Sequence, residues 1–65
     1  MSEEELFLQQ IGQRIMERRK KLGLTQEALA EKGDETTQFV SYAEAGKRAM
    51  RPENLLKIAS ALGVS

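Results

Sequence analysis

The sequence has no cysteine, no histidine and no tryptophan, and only one proline among its 65 residues. Without cysteine there is no disulfide and no thiolate zinc site, and without histidine most other transition-metal sites go too. No metal and no cofactor is therefore expected. The same absences remove the usual general base and the thiol nucleophile, and so short a chain encloses no substrate pocket, so an enzyme is not expected. No apolar run exceeds three residues, far below the ~20 that span a bilayer, so no membrane partner is expected. The opening Met1-Ser2-Glu3-Glu4-Glu5 is acidic, where a secretory signal needs positive charge. These features predict one soluble domain over residues 1–65 in the cytoplasm, with an acidic end at residues 1–5 that is open to fraying.

No sign of charge dominates either, since ten basic and ten acidic residues cancel. Setting Glu3, Glu4 and Glu5 aside leaves ten basic against seven acidic residues, a net +3. The cations are clustered. Arg14, Arg18, Arg19, Lys20 and Lys21 face only Glu17, and Lys47, Arg48 and Arg51 have no acid between them, while Glu27, Glu31, Asp34 and Glu35 make the middle negative. Such a pattern argues against a broadly electrostatic binder and leaves a focused one open.

What is present is helical periodicity. Phe7, Ile11 and Ile15 recur every four residues, with Leu8 and Leu22 on or near the same stripe, which predicts an amphipathic helix over about 4–22. Gly23 ends it. Thr25 caps a second helix from Gln26 to about Lys32, with Leu24 and Leu29 as a hydrophobic staple. Gly33, Asp34 and Glu35 make a turn, Thr36 caps a third helix over 37–45, and Gly46 ends it. Pro52 opens a fourth, where Leu55, Ile58, Ala59 and Leu62 form the apolar face and Gly63 closes. No segment alternates with period two. The fold class predicted is all-α with four helices.

Two short helices joined by a short turn and braced by longer neighbours make a helix-turn-helix, here about residues 25–45. That unit needs a small residue where its helices cross, which Ala30 supplies, and an apolar anchor inside the second, which Val40 supplies. Its outer edge needs groups that reach base edges: Thr37, Gln38, Ser41 and Tyr42. Gln38 and Tyr42 also read as an ordinary solvated face, Arg18 to Lys21 as partners of the helix dipole, and Met16 and Met50 as gap-fillers. Phe39 either meets a thymine methyl or sugar, or packs on a neighbouring loop.

GLTQEALAEK, TTQFVSYAEAGKR and RPENLLKIASALGVS, at these separations, resemble the lambda-repressor and Cro type of helix-turn-helix regulator from bacteria and their phages. The resemblance spans about residues 9–65. It implies a sequence-specific, double-stranded-DNA-binding transcriptional regulator, more usually a repressor, at the nucleoid. It implies that Gln26, Thr36, Lys47, Arg48 and Arg51 hold phosphates, and that Thr37, Gln38, Ser41 and Tyr42 face the major groove, Gln38 on adenine. It further implies an Arg19–Glu44 ion pair between the first and third helices, and a homodimer on a palindromic operator. No small-molecule effector is evident. Relatives generally continue into a fifth helix beyond the position of Ser65, so the fold is expected either with that helix following or managing with four. Two positions depart from the family pattern. An apolar residue is usual where Glu35 stands, and an apolar residue or alanine where Gly33 stands, so Glu35 is expected to swing into solvent and loosen the turn. The neutral charge and acidic turn keep one alternative in view: an antitoxin-like or adaptor protein-interaction module with weak or no DNA binding.

Overall fold

Ser2 and Glu5 start the first helix by capping each other. Ser2 Oγ accepts from the Glu5 backbone N–H at 3.1 Å, and Glu5 Oε1 accepts from the Ser2 N–H at 3.4 Å, a reciprocal capping box. The computed structural model describes residues 2–47 and 51–63, apart from the side chains of Pro52 and Leu55. The helices are α1 (Glu3–Lys21), α2 (Gln26–Lys32), α3 (Thr37–Ala45) and α4 (Pro52–Ala61), with no strand among the described residues. Glu3, Glu4 and Glu5 lie in the first turn of α1, where three carboxylates suit the helix dipole.

Each later boundary has a local cause. Thr25 Oγ1 accepts from Ala28 N–H and Thr36 Oγ1 from Phe39 N–H, both at 3.0 Å, each worth about 1 kcal/mol as an N-cap. Gly23 takes the left-handed conformation, φ 73°. Gly23 and Leu24 then return N–H groups to Lys20 and Arg19 carbonyls, closing α1 with a Schellman motif.

The turn between α2 and α3 differs from expectation. Glu35 N–H reaches the Ala30 carbonyl at 2.8 Å and Asp34 N–H the Glu31 carbonyl at 3.2 Å, so the turn is a tight Schellman closure. The left-handed residue is Asp34, φ 56°, and not a glycine; aspartate is one of the few side chains that tolerate this region. Gly33 serves packing instead, since an added Cβ would lie 3.2 Å from Ile58 Cδ1 on α4. Glu35 does not swing into solvent. Its side chain is only 14% exposed, and its Oε1 lies 3.7 Å from Lys57 Nζ on α4, which supplies the counter-charge that burial requires.

The core gathers Ile15, Leu29, Ala30, Val40, Ala43, Ile58, Ala61 and Leu62, with Ile11, Leu24 and Phe39 packed against it. Phe39 is thereby settled as partly buried core. Phe7 and Leu22, read as members of the α1 stripe, are exposed. α1 packs on α3. Gly12, which no turn explains, permits that packing. A Cβ there would collide with the carbonyl oxygens of Ala43 and Glu44. Arg18 is also more than a solvated dipole partner, for its Nε donates to the Leu62 carbonyl at 3.2 Å and ties α1 to the end of α4.

Candidate nucleic-acid interface

α3 has two sides set by its sequence. Val40 and Ala43, three residues apart, are buried, and Phe39 beside them is partly buried. Thr37, Gln38, Ser41 and Tyr42 are exposed along the remaining arc, as the 3.6-residue period requires once Val40 points inward. Gln38 Nε2 donates to Tyr42 Oη at 3.0 Å, one turn further on. Thr36, exposed, sits at the N-cap with its hydroxyl on Phe39 N–H.

At the other end of α3, Gly46 turns the chain, φ 66°, and the Lys47 N–H bonds back to the Tyr42 carbonyl at 3.3 Å. An added Cβ at Gly46 would lie 2.8 Å from Gln9 Cα, so glycine is required both by conformation and by contact with α1. Lys47 and Arg51 are exposed, Arg51 as the N-cap residue of α4. Arg48 and Met50 lie outside the described residues.

A polar cluster fixes α3 relative to α1 and α2. Arg19 Nε meets Glu44 Oε2 at 2.6 Å and Nη2 meets Oε1 at 3.0 Å, while Nη1 donates to the Leu24 carbonyl at 2.9 Å. Both side chains are largely buried, 11% and 5% exposed, and the bidentate geometry is the strong form of this pair. The hydrogen bond to Glu44 pushes the Arg19 guanidinium above its ordinary value, against the opposing effect of burial, so it stays charged. Gln26 Nε2 also donates to Glu44 Oε1, at 3.1 Å. The first side chain of α2 is thus held by the network that joins α1 to α3.

Several of these relations escaped the sequence reading. The Gln26–Glu44 and Gln38–Tyr42 bonds are among them, although the i, i+4 spacing on one helix was a usable signal for the second. The box at Ser2 was legible as S-x-x-E. Nothing local announces that Gly12 faces a carbonyl, or that Gln26 reaches across to Glu44.

A family profile described as helix-turn-helix matches residues 15–65. The crystal structure of the restriction-modification controller protein C.AhdI from Aeromonas hydrophila is similar throughout. Its TM-score is 0.91 at 34% sequence identity, and the match covers 98% of this chain and 93% of that one. No match is found among curated protein sequences.

Proposed function

The chain belongs to the helix-turn-helix family of the lambda-repressor and Cro type, and from that premise we propose how it reads DNA. It is a DNA-binding transcriptional regulator, and the protein-interaction alternative is not favoured. α3 lies in the major groove with Thr37, Gln38, Ser41 and Tyr42 toward the base edges. Thr36, Lys47, Arg48 and Arg51 hold phosphates on either side of it and set its register. Gln26 holds another: one hydrogen of its amide goes to Glu44, and an amide nitrogen carries a second. The N-terminus of α2 adds its own attraction for an anion there.

One helix reads only a few base pairs, so two copies on a palindromic operator are proposed. Such a protein works at the nucleoid in the cytoplasm. Occlusion of polymerase makes repression the simplest outcome, and the likeness to a restriction-modification controller supports genes of that kind as targets. The observation that carries this reading is the exposed edge of α3, on a helix whose other side is core.

Salt tests it. Affinity for duplex DNA should fall linearly on logarithmic axes with a slope of roughly −0.9 per phosphate contact, and Arg51→Ala should flatten the slope by about one unit. A flat titration of the native protein contradicts DNA binding through these cations, and an unchanged slope in the variant removes Arg51 from the interface.

A further inference from the structure

Two side chains on the groove-facing edge are already bonded to one another. Gln38 Nε2 donates to Tyr42 Oη at 3.0 Å, and both residues are exposed. The backbone of Tyr42 is fixed, and its side chain has little freedom. Its carbonyl accepts from Lys47 N–H in the turn that ends α3, and its side chain has only two rotatable angles.

The chemistry of the amide then narrows what Gln38 can read. A glutamine amide has two hydrogens on nitrogen and an adjacent carbonyl oxygen. With one hydrogen committed to Oη, one N–H and Oε1 remain to face a base. That pair complements adenine, which presents an N7 acceptor beside an N6 donor. Guanine presents two acceptors, O6 and N7, and satisfying both would draw on both amide hydrogens.

We propose that Tyr42 is a positioning residue: its hydroxyl orients the Gln38 amide so that this position selects adenine against guanine. The inference rests on the DNA-reading face proposed above. It departs from that reading in one respect, because the hydroxyl acts through Gln38 and not through a base contact of its own.

Tyr42→Phe keeps the ring and removes Oη. Selection from a random duplex pool is compared for the native protein, Tyr42→Phe, Gln38→Ala and the double variant. The native protein should favour adenine over guanine at one position that becomes indifferent in Gln38→Ala. Tyr42→Phe should lower that ratio roughly 3–10-fold, the equivalent of one net hydrogen bond, and leave other positions alone. The double variant should match Gln38→Ala. If Tyr42→Phe weakens binding as much in the Gln38→Ala background, the hydroxyl touches DNA itself and the proposal fails. An unchanged adenine-to-guanine ratio also overturns it, and in both cases the DNA reading stands. A native protein that enriches no duplex overturns the DNA reading and this assignment together. A readout without DNA completes the test. The Gln38 side-chain amide protons should exchange with solvent more slowly than those of the exposed Gln10 and Gln13, and Tyr42→Phe should abolish the difference. Equal exchange in the native protein contradicts the bond.

Discussion

Glu44 is where the residue scale decides most. Its carboxylate meets Arg19 from α1 and Gln26 from α2 while belonging to α3. Truncation to Glu44→Ala would leave a buried guanidinium without its counter-charge, and such a loss costs about 3 kcal/mol, to be read as a shift in urea unfolding. Replacing both partners, Arg19→Met with Glu44→Leu, should cost less, because neither charge is left behind. A loss below about 1 kcal/mol for the single variant would place the pair with ordinary surface bridges and contradict this account. Glu35 makes the same point in reverse. The cost of an inward acid predicted that it would turn to solvent, yet it stays mostly covered with Lys57 of α4 beside it, and no local pattern links residues so far apart.

At the scale of elements, the apposition of α1 and α3 depends on a missing side chain. Alanine is ordinarily the better helix former than glycine by about 1 kcal/mol. At position 12 the added methyl would collide with the Ala43 and Glu44 carbonyls, so Gly12→Ala should destabilise by about 2 kcal/mol, an overpacking cost. Thermal unfolding should register this as a fall of roughly 8–16 °C for a domain of this size, whereas a rise in Tm would show that the helices part freely. Helix boundaries were legible because their signals are local: Thr25 and Thr36 accept the capping N–H groups, Gly23 and Gly46 turn left-handed, and Pro52 stands in the first turn of α4. What lies between helices was not. Gly12 and Gly33 fit against backbone and side chains distant in sequence, and Phe7 and Leu22 are exposed because periodicity marks an apolar stripe without saying which part of it a partner covers. Of the candidate interface, the arc over 37–42 follows from period alone, but the bonds that orient Gln26 and Gln38 come from tertiary placement and rotamer.

For the whole molecule, a net charge of zero says nothing of where the charges lie. The Glu44 carboxylate is engaged by Arg19 and largely buried, and Glu35, also mostly covered, lies near Lys57. Lys47 and Arg51 are exposed just beyond α3. The two-fold dimer proposed above would leave a definite trace in the sequences selected, its recognition helices standing on half-sites about one helical turn apart. Selection from a random duplex pool, with native protein and Gln38→Ala in parallel, therefore tests the central claim most directly. The account predicts an inverted pair of half-sites in the native pool. In Gln38→Ala one position of each half-site should lose its preference, at a cost of about 1–3 kcal/mol, with the rest of the pattern intact. A pattern identical in both proteins, or a native pool without enrichment, would show that the outer edge of α3 does not read bases.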